Sequence, residues 1–172
     1  MDDPKYVTAM TSDDTSLSNA SLIAEYEAGI EALRSSVAGM SPEQVRARPI
    51  AGRWSTQEVV SHLADTEIYF TDRIIRTIAL DHPLLMGVDE VPYIQKLGYQ
   101  DLDLAEELDL YTSLRRHALR LLKRQPDTIW QRTAVHTGNG LMTLRQIVLQ
   151  AIRHTKHHIP FIAQKRAALA KS

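Results

Sequence analysis

Four long stretches of this chain carry apolar residues at three- and four-residue steps, the spacing of one face of an α-helix. Glycines and prolines fall mainly between these stretches, where they end helices. The pattern predicts helices near residues 18–38, 55–80 and 102–124, and from 143 to beyond 158. No segment has a convincing strand pattern. The sequence therefore predicts an all-α fold, a four-helix bundle.

Two of the predicted helices begin with a capping box. Ser55 and Glu58 frame the first turn of the second helix, and Thr143 and Gln146 frame that of the fourth. In this motif the cap hydroxyl accepts the third amide of the helix, and the third side chain accepts the amide of the cap residue. The two boxes define where these helices start.

The length of 172 residues fits one domain. Residues 1–15 are rich in Asp, Ser and Thr, and we expect a flexible lead-in there, followed by one domain over residues 16–172. Residues 81–100 form a long connection between the second and third helices, with two prolines and two glycines. A turn of helix is predicted within it, over residues 91–97.

Charge and composition narrow the classes of partner. The formal net charge is −1, so no basic field is available for nucleic acid or anionic lipid. The chain has no cysteine, which excludes disulfides, a thiolate nucleophile and cysteine-ligated zinc. The N-terminal residues lack the pattern of a signal peptide, and no apolar run approaches the length of a membrane span. We expect a cytoplasmic protein that contacts neither nucleic acid nor membrane.

Two histidines lie in the apolar row of the fourth predicted helix. His154 and His158 are four residues apart, so their imidazoles lie one helical turn apart on the same face. The pair is compatible with a metal site and also with a pair of hydrogen-bonded core histidines, and the spacing alone does not decide between them.

Further ligands would have to come from another helix. His62, one turn inside the capped start of the second helix, is the best candidate. Glu67 follows it, and either accepts a hydrogen bond from a ligand imidazole or lies at the surface. His136 lies just before a Gly-Asn-Gly loop. It either lines the mouth of a pocket or is simply a polar residue of that loop. Of the remaining three, His82 is expected in a loop, His117 at the surface, and His157 facing solvent or the rim of the bundle.

Three imidazoles that leave a coordination position open are typical of a catalytic metal site, whereas a structural site is normally closed by protein ligands. Zinc and nickel both suit imidazole ligands. If these three histidines bind a metal ion, the expected cofactor is Zn²⁺ or Ni²⁺. Pro160, two residues after the last of these histidines, predicts a kink in the helix just past the site.

Residues 53–67, 136–144 and 154–158 together resemble the DinB/YfiT-like family, and the resemblance extends over roughly residues 18–165. It implies a four-helix bundle in which His62, His154 and His158 hold a metal ion, usually zinc or nickel. Characterised relatives include transferases that use bacillithiol, mycothiol or glutathione, and a mycothiol-dependent maleylpyruvate isomerase. Many members are dimers, so a homodimer is expected.

The leading functional hypothesis is a thiol S-transferase, in which the metal activates a low-molecular-weight thiol toward a small-molecule substrate. Because the chain has no cysteine, the sulfur would come from a co-substrate. One alternative is a metal-dependent hydrolase with Glu67 or His136 as general base. Another is a non-catalytic, stress-related metal-binding protein. Three further side chains either line such a pocket or have structural roles, in core packing or in a surface ion pair: Trp54, Tyr69 and Arg73.

Overall fold

The computed structural model describes residues 17–171, so the predicted lead-in at residues 1–15 lies outside the described part of the chain. The helices, in chain order, are α1 Asn19–Val37, α2 Pro42–Arg46, α3 Thr56–Ala79, α4 Val91–Lys96, α5 Leu104–Leu122 and α6 Leu144–Leu169. Single 3₁₀ segments follow α4 and α5, at Tyr99–Asp101 and Asp127–Gln131. The four long helices lie within a few residues of their predicted bounds.

The four long helices form the predicted bundle. Helices α1 and α3 each pack against both α5 and α6. Buried apolar side chains from all four helices fill the space between them. None of the helices within residues 17–171 is long and apolar enough to cross a membrane. The four-helix bundle is therefore confirmed, and α3 and α6, which carry the predicted ligands, are direct neighbours.

Both predicted capping boxes are present. The Ser55 hydroxyl accepts the Glu58 amide at 3.1 Å, and the Glu58 carboxylate accepts the Ser55 amide at 2.7 Å. At the start of α6, the Thr143 hydroxyl accepts the Gln146 amide at 3.2 Å, and the Gln146 side chain accepts the Thr143 amide at 2.7 Å. These bonds satisfy amides that have no partner within the helix. They also fix the first residue of each helix that carries a candidate ligand.

A small sheet corrects the prediction of a chain without strands. It comprises β1 Leu84–Leu85, β2 Thr133–His136 and β3 Gly140–Thr143. Strand β1 pairs in parallel with β2, which pairs antiparallel with β3. The strands have two to four residues, too few for a period-two pattern to be recognised. Moreover, β1 forms by pairing with β2, about fifty residues further along the chain. Local sequence does not reveal such a distant pairing.

The long connection between α3 and α5 is confirmed, and it is held against α3. Arg73 of α3 donates to the Met86 carbonyl at 2.8 Å, and the Tyr99 hydroxyl donates to the Asp65 carboxylate. The Gly87 amide donates to the Thr137 hydroxyl at 2.8 Å, which joins the connection to the β2–β3 turn. The connection therefore covers the side of α3 from which these side chains project.

Helix α6 continues through Pro160 to Leu169. Proline has no amide hydrogen to donate toward the carbonyl of Lys156, four residues earlier. The helix therefore loses one backbone hydrogen bond at this point without ending. A bend at Pro160 stays a prediction.

Candidate metal centre

Three buried histidines meet between α3 and α6. His62, His154 and His158 are 1%, 6% and 4% exposed, and one nitrogen of each lies within 4.8 Å of the others. The closest pair of nitrogens, Nε2 of His62 and Nε2 of His154, is 3.1 Å apart. The structure thus brings together the three residues that the sequence identified as candidate ligands. His157 is outside this convergence: its ring packs against Phe161 at 4.7 Å and against the outer side of the cluster at His158, 5.1 Å between centroids.

Burial keeps two of these imidazoles uncharged. It lowers the pKa of His154 well below the ordinary value, and the neighbouring His158 lowers it further. Burial, followed by the effect of His62, lowers the pKa of His158 to about 2. A neutral imidazole has a free lone pair, which is the form that binds a metal ion. The two α6 histidines are therefore ready to act as ligands at neutral pH.

Hydrogen bonding among the histidines does not account for the cluster. His62 and His154 can share one hydrogen across their 3.1 Å contact. That bond leaves Nδ1 of His158 buried with no hydrogen-bond partner. Unpaired buried polar atoms are uncommon in folded proteins and often mark a missing ion or water. Three converging imidazoles, without a thiolate or a fourth histidine, fit an open divalent-metal site.

Thr66 fixes the orientation of His154. Its hydroxyl donates to the His62 carbonyl at 2.9 Å, and its oxygen lies 3.4 Å from Nδ1 of His154. Because the hydroxyl hydrogen is already used, the oxygen serves as an acceptor for the Nδ1 hydrogen. This tautomer leaves the lone pair of Nε2 directed toward His62. Such outer hydrogen bonds orient metal-binding histidines.

Aromatic rings surround the cluster. Trp54 stacks on His158, with ring centroids 6.2 Å apart and planes within 8°, and makes a T-shaped contact with His62, 5.2 Å between centroids. Phe70 lies 5.8 Å from His154. Tyr69, the other aromatic candidate from the sequence, contacts Tyr93 of α4 instead. The rings restrict the motion of the imidazoles and limit the access of water to them.

Glu90 is a functional candidate that the sequence reasoning missed. Its Oε2 lies 3.7 Å from Nε2 of His62, and its side chain is 21% exposed. Burial, and then the neighbouring Asp89, raises the pKa of Glu90 to about 7. Glu90 is the N-cap residue of α4, within the long connection. No periodic pattern of apolar residues in that segment marks its position. The only sequence signal is an acidic pair in the segment that crosses from one end of α3 to α5.

The structure places Glu67, one of the two predicted general bases, in a buried ion pair. Arg115 donates to its two oxygens at 3.1 and 2.7 Å, and the Tyr26 hydroxyl donates to Oε1. Glu67 is therefore neither exposed nor an acceptor for a ligand imidazole. Since Arg115 and Tyr26 already occupy both carboxylate oxygens, Glu67 is poorly placed to take a proton from a nucleophile.

His136, the other predicted base, organises the turn between β2 and β3. Its Nδ1 accepts the backbone amides of Gly138 and Asn139 at 3.0 and 3.1 Å. Burial, and then the charge of Arg73, lowers the pKa of His136. The residue is not one of the described groups whose nitrogens converge at the cluster.

Known proteins resemble this chain over most of its length. The family model of the DinB superfamily matches residues 25–162. A protein of Oceanobacillus iheyensis named "putative metal-dependent hydrolase" is 26% identical over 130 residues, 76% of this chain and 75% of the relative. A Geobacillus thermodenitrificans protein of the same name is 27% identical over 137 residues, 79% of this chain and 77% of the relative.

Two solved structures share the fold. YfiT from Bacillus subtilis, described as "a probable metal-dependent hydrolase with an unusual four-helix bundle topology", aligns with a TM-score of 0.81 at 21% identity, over 96% of this chain and 93% of YfiT. A mycothiol-dependent maleylpyruvate isomerase aligns with a TM-score of 0.70 at 10% identity, over 88% of this chain and 62% of the isomerase.

Proposed function

This chain belongs to the DinB superfamily, and from that premise we propose that it is a metal-dependent hydrolase of a small-molecule substrate. His62, His154 and His158 would hold the divalent ion, zinc or nickel, and Glu90 would accept the proton of the attacking water. The observation that carries the proposal is the convergence of three buried imidazoles beside one partly exposed carboxylate. The names of the relatives from Oceanobacillus and Geobacillus agree with it.

Glu90 favours water over a thiol as the nucleophile. When bound, a divalent ion activates either one, but a coordinated thiol is deprotonated outright, whereas water gains from a nearby general base. Glu90 supplies a partly buried carboxylate beside His62, its Oε2 3.7 Å from Nε2 of the imidazole. A general base must lie within hydrogen-bond reach of the nucleophile, directly or through one water. The site thus contains a group that hydrolysis uses and thiol transfer does not need.

A thiol S-transferase is the second candidate. The fold likeness to the mycothiol-dependent maleylpyruvate isomerase supports it, at an identity that speaks for the fold only. Because the chain has no cysteine, a low-molecular-weight thiol would have to bind as a co-substrate. In this case Glu90 would contact the electrophile or the thiol rather than deprotonate a water.

The two candidates are separated by assays of zinc- and nickel-loaded protein. A panel of carboxylic and phosphoric esters tests hydrolysis without thiol, and monochlorobimane with bacillithiol, mycothiol or glutathione tests transfer. We expect metal-dependent ester hydrolysis that needs no thiol. Thiol-dependent conjugation without hydrolysis would overturn the proposal in favour of the transferase. Absence of both reactions would favour a non-catalytic metal-binding protein.

Replacing Glu90 by glutamine is expected to lower the hydrolytic kcat about a hundredfold, the lower range for loss of a general base. The amide keeps the shape of the side chain but does not accept the proton. Metal content should stay at one ion per chain. The matched control is Glu106→Gln, the same substitution at an exposed acid in the first turn of α5. Equal kcat losses in the two variants, or no loss in Glu90→Gln, would contradict the role of Glu90.

Replacing Thr66 by valine is expected to weaken metal affinity by about 10- to 100-fold, the usual effect of losing an outer hydrogen-bond partner of a metal-binding histidine. Valine has the shape of threonine but cannot hold the Nδ1 hydrogen of His154. Competition with a fluorescent zinc indicator measures the change. Thr66→Ser keeps the hydroxyl and should retain nearly the full affinity. If valine and serine gave the same affinity, the hydrogen bond to His154 would be irrelevant to metal binding.

A further inference from the structure

Arg73 and His136 are two buried polar side chains that meet beneath the long connection. Arg73 lies on α3 and is 8% exposed, and His136 is the last residue of β2 and is 7% exposed. Nη2 of Arg73 donates to the Met86 carbonyl at 2.8 Å. A Cβ on the next residue, Gly87, would lie 3.4 Å from Cε1 of His136. The two side chains therefore approach the same short piece of backbone.

The imidazole of His136 has a hydrogen that the protein does not use. Its Nδ1 accepts the amides of Gly138 and Asn139, so the ring hydrogen is on Nε2. Within residues 17–171, Nε2 has no hydrogen-bond partner, yet it is not one of the fully buried unpaired atoms. The Nε2 hydrogen therefore reaches accessible space, where a ligand can accept it.

Arg73 is a buried cation with most of its donors unused. Within the described part of the chain, Nε and Nη1 have no hydrogen-bond partner, neither is fully buried, and no carboxylate forms an ion pair with the guanidinium. Glu90 acts on Arg73 only through space, because its Oε2 lies against His62. Burial lowers the pKa of Arg73, which reflects the cost of desolvating the charge. A bound anion would offset that cost.

These donors lie next to the histidine cluster. Arg73 follows His62 by eleven residues, about three helical turns, so both lie on the same face of α3. Helical side chains lean toward the N-terminus of their helix, and that of Arg73 therefore extends toward His62. The ring of Phe70 contacts both groups, 5.6 Å from the guanidinium carbon of Arg73 and 5.8 Å from the ring of His154. A ligand on Arg73 is thus about one aromatic ring away from the cluster.

We propose that Arg73 and His136 bind the carboxylate of a monoanionic substrate, while the bond to be hydrolysed lies at the histidine cluster. Arg73 supplies one positive charge and His136 a neutral donor, which together match one carboxylate. A phosphate dianion would leave excess negative charge near Glu90. The assignment of the anion as part of a substrate rests on the proposed hydrolase, whereas the binding of a carboxylate does not.

The probe is benzoate, titrated into isotope-labelled, EDTA-treated full-length protein and followed by NMR. Without metal, the carboxylate cannot bind as a metal ligand. We expect saturable shifts of the Arg73 Nε–H and the His136 ring nitrogens. Benzamide, the neutral isostere, should bind at least about tenfold more weakly, since hydrogen bonds to charged groups are the stronger ones. Equal binding of the two, or the absence of saturable shifts at Arg73 and His136, would overturn the site. Tighter binding of phenylphosphonate would overturn the choice of a monoanion.

Variants of residue 73 test the charge itself. Arg73→Gln is expected to weaken benzoate binding at least about tenfold, and Arg73→Lys, which keeps the charge, should recover part of the loss. The matched control is Arg76→Gln, the same substitution at an exposed arginine of α3 that pairs with Asp72. It should bind benzoate as the wild type does. Unchanged binding in Arg73→Gln, or equal losses in the glutamine and lysine variants, would overturn the proposal.

Kinetics of the metal-loaded protein test whether the anion belongs to the substrate. The probes are monomethyl succinate, which has one carboxylate, and its neutral relative dimethyl succinate. We expect the KM of the monoester to be at least about tenfold lower, and this difference to be lost in Arg73→Gln. Hydrolysis with equal KM values for the two esters would overturn the assignment to a substrate. Benzoate binding without hydrolysis of any ester would instead support the anion site and overturn the proposed hydrolase.

Discussion

Replacing His154 by alanine is expected to weaken metal binding by more than about a hundredfold, since losing only an outer partner of a metal-binding histidine costs 10- to 100-fold. His154 is the central member of the cluster, 3.1 Å from His62 and on the same helix as His158. Its removal leaves two imidazoles, too few for a stable divalent site. Metal content after dialysis should fall from one ion per chain to nearly none, and hydrolysis should be lost with it.

His157→Ala is the matched control for this variant. His157 lies on the same helix and its ring packs against Phe161 and His158, but it is not one of the three histidines whose nitrogens converge. The control should retain one ion per chain. Equal metal loss from the two variants would show that the converging row of α6 has been assigned incorrectly.

Replacing Arg115 by methionine is expected to lower the free energy of unfolding by about 3–5 kcal/mol, the usual cost of removing one partner of a buried ion pair. The side chains of Arg115 and Glu67 are 1% and 2% exposed, so the carboxylate of Glu67 would be left buried without its counter-ion. Urea denaturation followed by circular dichroism measures the change. A loss of less than about 1 kcal/mol would contradict it, since that is the range of exposed pairs.

The double variant Glu67→Leu with Arg115→Met distinguishes the effect of the two charges from the effect of the other contacts of Arg115. Apolar replacements of similar volume remove both charges, and such replacements are often neutral or even stabilising. We expect the double variant to recover a large part of the stability lost in Arg115→Met. No recovery would mean that the contacts of Arg115 with Tyr26, Tyr111 and Thr155 matter more than its charge.

Local sequence predicted the helices and the His154–His158 pair well, because both depend on short-range periodicity. The capping boxes at Ser55 and Thr143 placed two helix starts within one residue. Once the phase of α6 is known, the position of His158 one turn after His154 follows from helix geometry. His62 needed more than spacing, because the rotation of α3 toward α6 is a property of the bundle. The family resemblance selected it.

The features that the sequence did not reveal are pairings between distant residues. Glu67 appeared to be either a surface acid or a histidine partner, because its counter-ion, Arg115, is 48 positions away in a stretch rich in arginine. Glu90 reaches His62 only because the connection folds back over α3. Short strands such as β1 form only when the partner strand is in place. In each case, the tertiary fold supplies the partner. The homodimer and the absence of a nucleic-acid partner stay predictions.

The most direct test of the metal centre is anomalous X-ray scattering from crystals of the wild-type protein grown with zinc or nickel, recorded on both sides of the metal absorption edge. The structure predicts one anomalous peak per chain, bonded to His62, His154 and His158, with Glu90 on the open side. A crystal without a peak between these three imidazoles, or with its ion held only by other residues, would contradict the account.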